Sequence, residues 1–94
     1  MRLIEQQMWA AIQAGNDWSK DNTSVMYLVN LDQSYIYLHG QRIALFDHNS
    51  AKVIPDLDTL AQWPTRTTKS RLRALGVNVY TRKGITYVND KEVI

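Results

Sequence analysis

The sequence predicts an α+β fold: an N-terminal helix packed on an antiparallel β-meander, followed by a short basic helix and a C-terminal β-hairpin. Three observations predict it. Apolar residues recur at the helical period near the start (Ile4, Met8, Ala11, Ile12). Runs of β-formers separated by polar turn clusters fill residues 24–54. A second helix signal closing on Gly76 then precedes two further β-rich runs between Val77 and Val88.

Taken in order, the first helix carries polar Glu5, Gln6 and Gln13 elsewhere on its circumference and stops at Gly15, a residue suited to the left-handed position after a helix. Ser24–Leu31 is apolar on both faces and reads as a central, covered strand. Asp32-Gln33-Ser34 reads as a turn. Tyr35–Leu38 alternates aromatic with aliphatic, so one face is aromatic and the other belongs to the core. His39-Gly40-Gln41 connects tightly to Arg42–Phe46, Asp47–Ser50 turns again, and Lys52–Ile54 is a short strand ended by Pro55. These runs predict three or four strands. Residues 55–64 hold at most one helical turn, because Pro64 disfavours helix at Trp63. Thr67 or Thr68 suits the N-cap of a helix reaching Leu75. Val77–Tyr80, a turn over 81–84 and Ile85–Val88 form a hairpin expected to extend or cover the first sheet, before Asn89-Asp90 turns into Lys91–Ile94.

At 94 residues the chain reads as a single domain spanning 1–94. A hydrophobic content of 45%, with three Trp and five Tyr, excludes the disordered class. The absence of cysteine excludes disulfides, thiolate catalysis and Cys-based zinc sites, and points to a reducing compartment. Residues 1–7 form no apolar leader, and no run approaches the ~20 apolar residues that span a bilayer. A soluble protein of the cytoplasm is expected (the host cytoplasm if viral), with no membrane partner.

Charge is distributed unevenly. Arg66, Lys69, Arg71, Arg73, Arg82 and Lys83 all lie between Trp63 and Asn89, where there is no Asp or Glu. The rest of the chain holds all nine acids against five bases. On a helix, Leu72 and Leu75 define the buried stripe, Lys69 and Arg73 line one flank and Arg71 the other. Arg82 and Lys83 fall at the hairpin tip. These six residues are the candidate surface for nucleic acid or a partner protein, and phosphate contacts of that number suffice for salt-dependent binding. Tyr80 and Tyr87 flank the tip, where they suit stacking on unpaired bases. A helix followed by a basic-tipped hairpin resembles the second half of a winged-helix unit, but the strands and loop before Thr67 count against that fold. The plainer account of the patch is solubility and a protected hairpin. Tyr35, Tyr37 and Arg42 form a second candidate interface if their sheet face is open.

Enzymatic signals are weak. His39 and His48 stand nine residues apart in turns, and with Asp47 they make a metal site only if the hairpin between them brings them together. As solvated turn residues they need no such role. Asp56 and Asp58 suit capping in a Pro-containing loop, and no Gly-rich phosphate loop, G-x-S-x-G elbow or H-E-x-x-H occurs. No catalytic residue, metal or cofactor is expected.

Three segments carry a resemblance: Leu3-Ile4-Glu5-Gln6-Gln7-Met8, Tyr37-Leu38-His39-Gly40-Gln41-Arg42-Ile43-Ala44, and the run from Trp63 to Leu75 containing Thr67-Thr68-Lys69-Ser70-Arg71-Leu72. Together they resemble small proteins of tailed bacteriophages with a YLHGxxIA hairpin and a TTKSRL helix. The C-terminal hairpin departs from the shorter members of that group. The resemblance implies a phage setting and brings no chemistry to particular residues. The expected function is a non-enzymatic binding protein that contacts nucleic acid through the basic helix-plus-hairpin surface. The alternative is an inhibitor or modulator of a host protein, such as a defence or transcription component, bound through the same surface and an exposed Tyr/Arg sheet face.

Overall fold

The structure, a computed structural model, describes residues 2–93; Met1, and Ile94 at the end of the expected last segment, lie outside the described residues. Helix α1 (Leu3–Ala14) ends as expected at Gly15, whose φ is 67°. The N–H groups of Gly15 and Asn16 return to the carbonyls of Ile12 and Ala11, which closes the helix in a Schellman arrangement.

Five antiparallel strands follow in sequence order: β1 (Trp18–Lys20), β2 (Thr23–Leu28), β3 (Gln33–Leu38), β4 (Gln41–Asp47) and β5 (Lys52–Pro55). The sheet is one or two strands wider than expected because β1 is three residues long and carries no alternation of its own. Strand β2 stops at Leu28, not Leu31. The N–H groups of Leu31 and Asp32 turn back to the Leu28 and Val29 carbonyls, and Asp32 takes φ 52°. Gln33 and Ser34 are therefore strand, not turn. Nor is β2 covered on both sides: Val25 is buried, whereas Met26 on the opposite face is 46% exposed.

Residues 57–62 form a complete short helix, α2 (Leu57–Gln62), capped by Asp56, whose carboxylate accepts the Thr59 N–H at 3.0 Å. Helix α3 (Arg66–Ala74) is capped by Thr65, not by Thr67 or Thr68; the Thr65 hydroxyl accepts the Thr68 N–H at 3.1 Å. Pro64 explains the earlier start, since it biases the preceding residue away from helix and fixes an extended entry. Strands β6 (Val79–Arg82), β7 (Ile85–Val88) and β8 (Lys91–Val93) make a separate three-stranded sheet and do not extend the first. The β6–β7 turn is only Lys83–Gly84, with φ 51° and 78°, the type I′ geometry that matches strand twist. Arg82 is thus a strand residue.

The two sheets share one core. Met8 and Ile12 of α1, Val25, Ile36 and Ala44 of the large sheet, Leu72 of α3 and Val79 and Val88 of the small sheet form a continuous buried cluster. Helices α1 and α3 lie on the same side of the large sheet, where Arg71 of α3 reaches Thr23 of β2. Among the described residues no helix or sheet covers the other side, where Met26 and Ile54 stay about half exposed.

Candidate functional site

Helix α3 divides the basic residues into two groups. At 100° per residue, Arg66, Lys69 and Arg73 lie within an arc of about 60°. Lys69 donates through Nζ to the Thr81 hydroxyl on β6, and Arg73 donates through Nε to the Val79 carbonyl at 2.9 Å. Strand β6 is the edge of the small sheet, so Arg73 occupies a backbone acceptor that would otherwise face solvent. Arg82 follows Thr81 on the opposite face of β6, and Lys83 forms the adjoining turn. Four cations thus lie on or against this edge strand, and Arg66 shares the α3 flank of Lys69 and Arg73. None of them pairs with a carboxylate among the described residues, whose two ion pairs lie elsewhere.

Arg71 must be removed from this surface. It is 3% exposed and bound to Glu5, its Nη1 standing 2.8 Å from Oε2. Ser70 donates to the same carboxylate at 2.6 Å, and Arg71 Nε donates to the Thr23 hydroxyl at 3.1 Å. Glu5, placed on the polar face of α1 by its sequence, is itself buried, and its other oxygen accepts the Arg2 N–H at 3.3 Å. Burial opposes the charge on Glu5. The hydrogen bonds from Ser70, Arg71 and the Arg2 backbone together outweigh it and hold the carboxyl below the ordinary glutamate range. The network ties α1, α3 and β2 together at their polar ends.

The outer face of the small sheet carries Tyr80 and Tyr87, cross-strand neighbours stacked with ring centroids 5.2 Å apart and planes at 15°. Arg82 and Ile85 continue this face toward the turn. On the other side it meets acids: Tyr80 donates to Asp90 at 2.9 Å, and Glu92 lies opposite Tyr87. The hydrogen bond to Asp90, assisted by burial, raises the Tyr80 phenol above its ordinary value. On this outer face the cation Arg82 of β6 and the carboxylates Asp90 and Glu92 at the β8 side therefore lie at opposite edges, with Lys91 beside Glu92 on β8.

Tyr35, Tyr37 and Arg42 do share the uncovered face of the large sheet. Tyr37 pairs with Arg42, and the Arg42 guanidinium lies 4.8 Å from the Tyr35 ring centroid. Register adds what the sequence did not disclose. Met26, Tyr35, Leu45 and Ile54 form one row across β2 to β5, with Met26 and Ile54 about half exposed. Such a row depends on pairing between distant strands and has no local sequence signal. Arg42 also pairs with Asp56 at 3.4 Å.

The proposed metal trio is not assembled. His39 sits in the β3–β4 turn and His48 beyond the far end of β4, whose seven residues span about 23 Å. His48 Nε2 lies 2.8 Å from the Ser34 hydroxyl, with its ring edge-on to Tyr27 and Phe46. Asp47 accepts the Asn49 N–H and the Ser50 hydroxyl in its own turn. Among the described residues no cluster of His, Cys, Asp and Glu is arranged to hold a metal ion. Nor is any helix long and apolar enough to cross a membrane.

These features define a small α+β protein of two antiparallel sheets, with cations gathered at one sheet edge and an amphipathic face on the other sheet. Residues 1–94 match the family described as Kyanoviridae Gp96 protein; the chain belongs to that family and is a small phage protein. Neither a curated protein nor a solved structure matches it.

Proposed function

We propose that this chain is a non-enzymatic binding protein that contacts nucleic acid through Arg66, Lys69, Arg73, Arg82 and Lys83. The observation that carries this reading is the convergence of cations from α3 and the β6–β7 hairpin on one strand edge, with no carboxylate partner among the described residues. Thr81, held by Lys69, is the residue before Arg82, so the helix and hairpin groups are contiguous. Acids at the β8 side favour a phosphate backbone running along β6, and the Tyr80–Tyr87 pair lies beside that path. Four to five phosphate contacts give a log–log salt slope of roughly −3 to −4. Fluorescence anisotropy of labelled DNA and RNA at low and physiological salt tests this. Absence of binding at low salt would remove the reading.

A second reading has its own support. The row of Met26, Tyr35, Leu45 and Ile54, bordered by Arg42, has the aromatic and apolar make-up of a protein interface centre. A host protein bound there would resist salt, because apolar contacts dominate. Capture that survives high salt and fails on Ile54→Glu distinguishes the two surfaces.

A further inference from the structure

A cavity of about 270 Å³ opens between the β3–β4 hairpin and the connection from α2 to α3. Buried Leu38 and Ile43 line its inner side, while His39, Gln41, Thr59 and Trp63 complete it toward solvent. Trp63 is the unusual member. Trp9 and Trp18 pack against the buried cluster, but Trp63 remains 53% exposed at the end of α2, where Pro64 prevents the helix from carrying it inward. About half of this indole is left to solvent.

We infer that this cavity accepts one unpaired base of a single-stranded nucleic acid whose phosphates lie along Arg66, Lys69 and Arg73. The inference rests on the nucleic-acid reading above and gives it a substrate class. The chemistry matches on three counts. An indole at the mouth and an aliphatic inner wall suit the two faces of a planar ring. Gln41, His39 and Thr59 present donors and acceptors in the same space, as the polar edge of a base requires. Thr65 also lines the cavity, and the next residue, Arg66, is the first cation of the stripe. The cavity therefore lies at the Arg66 end of the stripe, with Lys69 and Arg73 farther along α3 against β6. Duplex DNA or RNA cannot use the site without extruding a base.

The test uses the full chain and four labelled probes of equal length: single-stranded DNA, single-stranded RNA, an abasic DNA strand and a DNA duplex. Trp63→Ala is expected to lose about tenfold in affinity for a base-bearing single strand, the scale of one stacked base. Its affinity for the abasic strand and the duplex should be unchanged, and Trp63→Phe should recover most of the loss. Whichever of DNA and RNA shows the loss identifies the sugar class. Equal affinities of Trp63→Ala and the native chain for base-bearing strands would overturn the cavity assignment while leaving the basic stripe in place. A loss shared by all four probes would overturn it too, as a general effect on the surface. Failure of the native chain to bind any probe would overturn both readings. Trp63 is about half buried, so Trp63→Ala should lower the unfolding midpoint somewhat, and binding is compared at a temperature where both chains are folded.

Discussion

Arg71 and Arg73 stand two residues apart on α3 and meet opposite environments. Arg71 turns inward, where Glu5, Ser70 and Thr23 close a buried network around its guanidinium and the carboxylate it pairs with. Arg73 turns outward with Arg66 and Lys69, and its contact with β6 is to a backbone carbonyl that leaves its charge uncompensated. One flank of the helix uses charge to hold the fold together. The other leaves charge at the surface. The difference shows that a count of basic residues in a segment overstates its exposed charge whenever a distant acid is buried against it, here one 66 positions away in the chain.

The largest expected effect comes from breaking the inward flank. Arg71→Ala strands the buried Glu5 carboxylate, and losing one partner of a buried pair costs ~3–5 kcal/mol. Chemical denaturation should show most of the chain's stability gone, since domains of this kind hold only ~5–15 kcal/mol. Replacing both partners with apolar residues, Glu5→Leu with Arg71→Met, should restore much of it, because the desolvation of two charges is removed together. If Arg71→Ala costs under ~1 kcal/mol, the two flanks are not different in kind.

Charge reversal on the outward flank should do the converse. Lys69→Glu with Arg73→Glu removes the bonds to Thr81 and to the Val79 carbonyl and is expected to cost about 1–2 kcal/mol, well short of Arg71→Ala. Binding to single- or double-stranded nucleic acid should weaken uniformly across sequences, with the salt slope shallower by about 2. Titrations at several salt concentrations read both quantities. An unaltered slope would show that these residues touch no phosphate.

Acid sharpens the same contrast. The Glu5 carboxyl is held below its ordinary range when folded, so its network stabilises the native state fully at neutral pH and down to the ordinary glutamate value. That contribution disappears as pH falls further, through the lowered folded value. Denaturation across this window should therefore show stability declining with acidification, and Glu5→Gln should flatten that part of the profile.

How much of this was legible in the sequence follows from the range of the interactions. The helix over Leu3–Ala14, the aromatic/aliphatic alternation of Tyr35–Leu38 and the hairpin near Gly84 rest on local periodicity or turn chemistry, and the structure has them. The fifth strand was not legible, since Trp18–Lys20 is too short to alternate. The burial of Glu5 and Arg71 was not legible either. Each looks like an ordinary solvated residue within its own helix, and only the packing of α1 against α3 brings them together. The outer row from Met26 to Ile54 and the cavity beside Trp63 also depend on tertiary register.

The second ion pair supplies the smallest and finest comparison. Arg42 and Asp56 meet at 3.4 Å with side chains 39% and 21% exposed, so water screens what it cannot screen around Arg71. Burial again opposes the Asp56 charge, and the Thr59 N–H and Arg42 again outweigh it, so its carboxyl lies below the ordinary range. Asp56 has a second duty that Arg42 lacks, because it caps α2 through the Thr59 N–H. Arg42→Ala removes the pair, worth ~0–1 kcal/mol, together with the cation–π contact to Tyr35, worth about 0.5–1 kcal/mol. Asp56→Ala removes pair and cap, and should cost about 1 kcal/mol more than the pair. Asp56→Asn separates the two, since asparagine caps as well as aspartate but carries no charge. Its cost in thermal or chemical unfolding should not exceed that of Arg42→Ala and should fall about 1 kcal/mol below that of Asp56→Ala. A match to Asp56→Ala would mean that the carboxylate's charge, not its position at the helix start, holds this corner, and that the exposed pair is closer in kind to the buried one.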